Sequence, residues 1–305
     1  MNQAMIQVQD FTKTYRDFKA VKGITFNVYG GEIFALLGPN GAGKTSTLES
    51  LEGLRQPNGG RLSVAGIDPA KQHHLLRNII GVQLQSSGLP DTITPDEAMR
   101  LFCAYHKVDP RFDLLDRLGL ASKRVTQYHQ LSTGQQRRLA LALAVAHDPK
   151  VLFLDEPTAG LDVATRAELH DLMRELRSEG ATIILATHDM AEAEELSDRI
   201  AILLDGNLAA LGTPLEITAT GSQLTKISVR TQNSTLIEQT IIFPGVCHHT
   251  TKGNYQIYFS ESIGITVAAI IDHLQTEDDT LIDLRVERPS LEDRFLEITS
   301  KGLNQ

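Results

Sequence analysis

The stretch Gly38-Pro39-Asn40-Gly41-Ala42-Gly43-Lys44-Thr45 decides the fold class of this chain. It has the pattern G-x-x-x-x-G-K-[ST] and stands between the apolar run Ile33–Leu37 and a helical segment. Glycines let backbone N–H groups approach an anion without a Cβ clash, and the following helix directs its positive end there. The stretch predicts a loop that binds a nucleoside triphosphate, with Lys44 on the β- and γ-phosphates and the Thr45 hydroxyl on Mg²⁺.

Two further apolar runs, Val151–Leu154 and Thr182–Ala186, are typical of strands buried on both faces of a parallel sheet. The segment 163–179 between them has helical periodicity and ends before Gly180, which completes a βαβ unit. The sequence therefore predicts an α/β fold. Its P-loop NTPase core is expected to carry an N-terminal antiparallel β subdomain, an inserted helical subdomain and a small C-terminal α+β domain.

Changes of pattern along the chain predict the domain boundaries. Residues 6–30 indicate short strands with a hairpin turn at Gly30-Gly31, and about 92–149 show helical periodicity without a strand. We place the first, larger domain at 1–220 and the accessory domain at 221–305. The accessory domain is predicted to contain strands at 225–231, 255–259 and 279–286 and helices at 264–275 and 290–300.

Composition excludes several classes of protein. The chain has 305 residues, 41% of them hydrophobic and 22% charged, as in ordinary globular proteins. No stretch approaches the roughly 18 apolar residues of a membrane helix, and no signal peptide is evident, so we expect a cytoplasmic protein. Cys103 and Cys247 stand alone, which favours a reducing compartment. The net charge of −9 argues against nucleic acid as a partner.

Two carboxylates follow the strand predicted at Val151–Leu154. Asp155 suits the role of Mg²⁺ holder at the carboxyl end of the strand. Glu156, the next residue, could accept a proton from an attacking water as general base. Without a phosphate loop, such a pair is more often a solvated strand end. Because a phosphate loop is present, Asp155 and Glu156 are predicted to hold the metal and to activate water in the same nucleotide site.

The sequence Leu131-Ser132-Thr133-Gly134-Gln135 precedes a second helical segment. Taken alone, Ser132 and Gln135 form an ordinary capping box. The motif lies in the inserted helical region, 20 residues before Asp155, and there it resembles the LSGGQ signature of the ABC ATPase family, with Thr133 in place of the first of the two glycines. The resemblance covers residues 5 to about 215 and implies that the chain binds and hydrolyses ATP with Mg²⁺.

The resemblance also assigns roles to single residues. Gln85 matches the glutamine that senses Mg²⁺ and the attacking water, although Gln83 on the same strand keeps this choice open. His188 matches the histidine that contacts the γ-phosphate, and Ala159–Asp162 resembles the loop that crosses between subunits. Tyr15 matches the aromatic that stacks on adenine, its alternative being a core tyrosine. The implied ATP-contacting set is Tyr15, Gly38, Pro39, Asn40, Gly41, Ala42, Gly43, Lys44, Thr45, Ser46, Ser132, Gly134 and Gln135.

In this family, the signature of one subunit completes the nucleotide site of another. The resemblance therefore implies a homodimer or a pair with a similar ATPase subunit, docked peripherally on a membrane-spanning permease at the inner face of the cell membrane. We expect the permease contact within Ser86–Tyr105. Residues Pro289–Leu296 resemble the ending of ATPases of type 2 ABC export systems, and their alternative is a plain capped helix. An importer ATPase, a non-transport ABC ATPase and a scaffold without turnover remain the alternatives.

Overall fold

The structure, a computed structural model, describes residues 4–84, 88–219, 224–238, 241–287 and 290–302. The chain divides into two units, Met1–Thr213 and Pro214–Gln305. The sequence places this boundary after residue 220, whereas the helix over Pro214–Ala219 groups with the second unit. Among the described residues, no helix combines the length and the apolar character that crossing a membrane requires.

The first unit is of mixed α/β composition. In chain order its elements are β1 (Ala4–Tyr15), β2 (Phe18–Tyr29), β3 (Ile33–Leu37), α1 (Lys44–Leu51), β4 (Gly59–Val64), α2 (His73–Leu76), β5 (Ile80–Gln83), α3 (Pro95–His106), α4 (Phe112–Arg117), α5 (Thr133–Val145), β6 (Val151–Asp155), α6 (Val163–Ser178), β7 (Thr182–Thr187), α7 (Met190–Leu196), β8 (Arg199–Leu204) and β9 (Asn207–Gly212). Two 3₁₀ turns, Ala121–Lys123 and Tyr128–Gln130, stand between α4 and α5.

A six-stranded sheet in the order β5-β6-β7-β3-β8-β9 forms the centre of this unit. Strands β5, β6, β7, β3 and β8 are parallel, and only β9 is antiparallel. Both faces of this sheet are apolar and buried. The elements β1, β2 and α1 cover one face, and α3, α5 and α6 cover the other. The carboxyl ends of β3, β6 and β7 therefore meet at one edge, which is where open parallel sheets bind ligands.

A three-stranded antiparallel sheet, β2-β1-β4, confirms the predicted N-terminal β subdomain. The predicted hairpin at Gly30-Gly31 is wrong: this turn leads from β2 into β3 of the other sheet. The hairpin lies instead at Arg16-Asp17, where Tyr15 pairs with Phe18 and Arg16 has a φ of 52°. Neither turn residue is the glycine or asparagine that usually marks such a turn, so the sequence carried no signal for it.

The second unit is a small α+β domain. Its elements are α8 (Pro214–Ala219), β10 (Thr225–Thr231), α9 (Thr235–Glu238), β11 (Val246–Lys252), β12 (Tyr255–Ser260), α10 (Ile263–Thr276), β13 (Leu281–Glu287) and α11 (Leu291–Gly302). The strands form an antiparallel sheet in the order β11-β12-β10-β13, and α10 covers one face through Ile270 and Leu274. Of these strands, β11 was not predicted.

Gly81 fixes how closely the edge strand β5 approaches α5. A Cβ atom at this position would lie 2.1 Å from the backbone oxygen of Ala144, far inside van der Waals contact. We therefore expect Gly81→Ala to lower the free energy of unfolding of the first unit by about 1–3 kcal/mol, since strand or helix must shift. Thermal unfolding measures this. Gly88→Ala, in the same unit, is the matched control, because its Cβ would meet no atom within 4 Å; equal melting temperatures for the two variants would contradict the close approach.

Candidate nucleotide site

The phosphate loop connects β3 to α1 at the carboxyl edge of the central sheet. Its last glycine, Gly43, caps α1 with a φ of 103°, and a Cβ there would lie 2.8 Å from the carbonyl oxygen of Ala20. The Lys44 ammonium folds back over the loop and donates to the carbonyl oxygens of Gly38 at 2.6 Å and Pro39 at 3.2 Å. The loop thus presents a cation and a helix N-terminus to one cavity.

Asp155 and Glu156, at the end of β6, face the loop from the other side. The Thr45 hydroxyl lies 3.3 Å from Asp155 Oδ2, and the Lys44 Nζ atom lies 3.9 Å from Glu156 Oε1. Burial raises the pKa of Asp155 above its ordinary value, and the nearby Glu156 acts in the same direction. Burial also lowers the pKa of Lys44, while Glu156 and Asp155 oppose that shift. The sheet therefore brings opposite charges together in a desolvated setting.

Glu156 is held in an unusual backbone conformation. Its φ of 50° lies in the left-handed region, which non-glycine residues rarely adopt, and its N–H donates to the carbonyl oxygen of Ala186 on β7 at 2.9 Å. The His188 Nδ1 atom lies 2.8 Å from each oxygen of the Glu156 carboxylate. His188 follows β7 and its side chain is 58% exposed, so the imidazole covers the carboxylate from the solvent side. Strain of this kind is common at functional sites.

A cavity of about 180 Å³ lies between the loop and these carboxylates. Tyr15 contributes to its wall and is half-buried, so it is not a core residue. The Lys13 ammonium lies 5.1 Å from the centre of the Tyr15 ring. The other lining residues are Phe18, Ala20, Pro39, Asn40, Gly41, Gly43, Lys44, Thr45, Ser46, Asp155 and Glu156.

The signature residues stand apart from this cavity. Ser132 caps α5: its hydroxyl accepts from the N–H of Gln135 at 3.3 Å, while Gln135 Oε1 accepts from the N–H of Ser132 at 3.0 Å. Gly134 packs against α6, where its Cβ would lie 3.0 Å from Thr165 Cγ2. None of the described residues that line the cavity comes from this segment. Within one chain, the site and the signature are separate.

Gln85 and Gln83 are the two candidates for the glutamine that senses Mg²⁺ and the attacking water. Gln85 lies outside the described residues, so its predicted role stays a prediction. Gln83 is buried at the end of β5, and its amide has no hydrogen-bond partner among the described residues. Asp162, in the segment predicted to cross between subunits, is exposed and caps α6 by accepting from the N–H of Thr165 at 3.0 Å.

A second, larger cavity of about 420 Å³ runs along the edge strand β5 between α3 and α5. Its walls include the exposed side chains of Leu84 and Tyr105, whereas Gln83 and Glu52 are buried polar residues in it. Glu52 follows α1, so this cavity lies at the opposite end of the helix from the phosphate loop. Part of the predicted contact segment Ser86–Tyr105 lines it, through Leu89, Phe102 and Tyr105 among the described residues.

No sequence pattern distinguishes Glu52 from an ordinary polar residue at the end of a helix. In the structure it is only 7% exposed, and its Oε2 atom has no partner among the described residues. Burial, strengthened by the nearby Asp155 and Glu49, raises the pKa of Glu52 to about 8. A protonated carboxyl group therefore stands between the nucleotide site and the β5 cavity at neutral pH.

This fold and site define a P-loop nucleotide hydrolase, and the relatives of the chain define its family. A profile described as ABC transporter matches residues 21–159. The Nod factor export ATP-binding protein I of Neorhizobium galegae is 34% identical over 98% of this chain and 86% of its own length. The daunorubicin resistance ATP-binding protein DrrA3 of Streptomyces coeruleorubidus is 33% identical over 98% of this chain and 97% of its own length.

Solved structures agree with these sequence relatives. The ATP-binding subunit of an ABC transporter superposes with a TM-score of 0.65 at 29% identity, covering 70% of this chain and 91% of that one. A dimeric ATP-binding cassette in a post-hydrolysis state, bound to ADP and Pi, has a TM-score of 0.64 at 27% identity and covers 68% of this chain and 98% of that one. The chain belongs to the ATP-binding family of ABC transporters, whose members hydrolyse ATP to power transport.

Glu52 makes the stability of the first unit dependent on pH. Because its pKa is raised to about 8 in the folded protein, the folded state keeps a proton that the unfolded chain releases above the ordinary pKa of a glutamate. The stabilisation is complete below that ordinary pKa and is lost as the pH rises through the folded value. Glu52→Gln mimics the protonated acid, so we expect it to unfold at a higher temperature than the wild type above about pH 8.

Thermal unfolding between about pH 5 and pH 9 measures this difference, which should be small at the acid end and grow toward the alkaline end. Glu179→Gln, which changes an exposed carboxylate, is the matched control and should follow the wild type throughout. If the melting temperature of Glu52→Gln changes with pH in parallel with that of the wild type, Glu52 is ionised in the folded protein.

Proposed function

We propose that this chain is the ATP-hydrolysing subunit of an export system and that it works as a dimer on a separate membrane permease. The observation that carries the proposal is the convergence of Lys44, Thr45, Asp155 and Glu156 on one cavity. A phosphate loop alone would serve any nucleotide-binding protein. A buried acid beside the loop, held by a histidine, adds the group that hydrolysis requires.

The loop binds the triphosphate. Backbone N–H groups of the loop residues after Pro39 and the N-terminus of α1 face the phosphates, and Lys44 exchanges its carbonyl partners for β- and γ-phosphate oxygens. Tyr15 stacks on the base from the cavity wall. Stacking does not distinguish one base from another, so the preference for ATP is supported by the family and not by this residue.

Mg²⁺ fits the opposite wall. The Thr45 hydroxyl and the Asp155 carboxylate are hard oxygen donors 3.3 Å apart, which is the donor chemistry that Mg²⁺ prefers. No group of three or more His, Cys, Asp or Glu side chains able to hold a metal occurs in the described part of the chain. This agrees with an ion that takes its other ligands from phosphate, water and the predicted Gln85. When bound, the ion neutralises charge on the phosphates.

Glu156 activates the attacking water. Its carboxylate stands at the end of β6 between Lys44 and His188, and its left-handed backbone fixes the direction of the side chain. His188 uses Nδ1 for Glu156, which leaves Nε2 for a γ-phosphate oxygen. His188, one residue after β7, therefore both orients the general base Glu156 and contacts the phosphoryl group that is transferred.

The site is completed by a second subunit. Ser132 and Gly134 lie at the N-terminus of α5, outside the cavity of their own chain. The partially positive end of this helix suits the γ-phosphate bound to another copy, so ATP would hold two chains together and hydrolysis would release them. A related cassette that was solved as a dimer with ADP and Pi supports this arrangement.

The cavity along β5 is the docking site for the permease. It is apolar, open to solvent and formed partly by the predicted contact segment, as a groove that accepts a helical segment of a partner requires. Docking there would place the chain peripherally at the inner face of the membrane. The direction of transport is taken from the Nod factor export ATP-binding protein that matches nearly the whole chain.

We expect Glu156→Gln to bind ATP, to hydrolyse it at least about a hundredfold more slowly than the wild type, and to accumulate as a dimer in Mg-ATP. The amide keeps the size of the side chain but cannot accept the proton. Phosphate release and size-exclusion chromatography with light scattering measure the two effects.

Glu179→Gln, with the same chemical change on the surface, should keep wild-type turnover. Wild-type turnover in Glu156→Gln would remove the general base from the proposal. A variant that stays monomeric with Mg-ATP would instead remove the ATP-bound dimer.

A further inference from the structure

Strand β13 forms an open edge of the C-terminal sheet. It pairs with β10 on one side, and no described strand lies on its other side. Edge strands are usually protected by proline, lysine or a cover, because their free N–H and C=O groups accept another strand. Leu281–Glu287 contains neither proline nor lysine, and its Ile282 and Val286 side chains are 52% and 45% exposed. The edge is therefore suited to pairing with a further strand.

The sequence of β13 is complementary to itself. It reads Leu281-Ile282-Asp283-Leu284-Arg285-Val286-Glu287, with Leu284 at its centre. In an antiparallel pair around a two-fold axis at Leu284, Asp283 stands opposite the partner subunit's Arg285, and Ile282 opposite the partner subunit's Val286. Each contact occurs twice because of the symmetry. Opposite-charge and apolar cross-strand pairs both stabilise a sheet.

The same charges exclude the neighbouring registers. A two-fold axis perpendicular to the sheet keeps each side chain on its face, so the centre can move only to another single residue. Centring on Asp283 sets two aspartates opposite each other. Centring on Arg285 sets two arginines opposite each other and Asp283 opposite the partner subunit's Glu287. Of the registers centred on Asp283, Leu284 and Arg285, only the one centred on Leu284 places Asp283 opposite the partner subunit's Arg285.

Asp283 and Arg285 are arranged to exchange partners without a large cost. Arg285 Nε lies 2.9 Å from Asp283 Oδ2 within the strand, and Tyr255 donates to the same oxygen at 2.7 Å. Both charged side chains reach solvent, so an ion pair to another chain replaces a surface pair. The bulge in the β10–β13 ladder lies at the Leu281 end, so residues 283–287 keep regular geometry.

We propose that the C-terminal units of two copies of this chain pair through β13, which joins their sheets into one across a two-fold axis. This interaction does not require nucleotide, so it is independent of the ATP-bound dimer proposed above. It gives the second unit a role in holding two ATPase subunits together between rounds of hydrolysis.

Two complementary charge variants of the full-length protein test the proposal without nucleotide. Asp283→Arg places arginine at both positions 283 and 285, and Arg285→Asp places aspartate at both positions. Each variant alone sets like charges opposite each other, so its dimer dissociation constant should rise about tenfold or more. An equimolar mixture restores both opposite-charge contacts in the mixed pair and should recover the wild-type constant. Analytical ultracentrifugation measures all three.

Asp272→Arg, which reverses an exposed charge on α10, is the matched control and should leave the constant unchanged. The proposal is overturned if the wild type sediments as a monomer at about 100 µM without nucleotide. It is equally overturned if the two charge variants, folded by circular dichroism, do not associate more strongly when mixed than when alone.

Cross-linking tests the register separately. In a Cys247→Ser background, which removes the exposed thiol, Leu284→Cys places two identical residues opposite each other within disulfide range. Oxidation should link this variant into a dimer, whereas Glu287→Cys, which stands opposite the partner subunit's Leu281, should stay unlinked. Equal linking of both variants would contradict the register centred on Leu284.

Discussion

The first unit is organised around a buried lysine held against two buried carboxylates. Lys44, Asp155 and Glu156 are each at least nine-tenths buried, and charges in such a place are costly unless they are paired. This pairing of charges requires a loop that turns inward between β3 and α1, and it requires β6 to end beside that loop. The inward-turning glycines of the loop and the buried end of β6 meet this requirement.

The parts of the fold that depend on local chemistry could be predicted from the sequence. The phosphate loop, the runs around Ile33, Val151 and Thr182, and the helix after Ser132 combine a clear period with a clear boundary residue. Strands of the parallel sheet are apolar at nearly every position, and this pattern distinguishes them from the helices in the sequence. His188 is assigned from the resemblance to the ABC ATPases and not from a local pattern, and its contact with Glu156 is a consequence of sheet order.

Other parts depend on partners that are distant in the chain. Strand β11 is almost wholly polar, with His248 and His249 at its centre, and it is a strand because β12 pairs with it. The hairpin at Arg16-Asp17 has no glycine to mark it. Glu52 looks like any charged residue at a helix end, and only the tertiary structure shows that it is buried near Asp155. These features belong to the packed chain and not to a local pattern.

The central claim is that each nucleotide site is shared between two chains, with Lys44 from one and Ser132 from the other. The most direct test mixes two variants that are inactive alone, Lys44→Ala and Ser132→Glu, whose added negative charge repels the γ-phosphate. A mixed dimer contains one intact shared site, so the mixture should regain up to roughly a quarter of the wild-type ATPase rate. If the mixture is no more active than its two components, the two halves of the site lie in the same chain and the account is wrong.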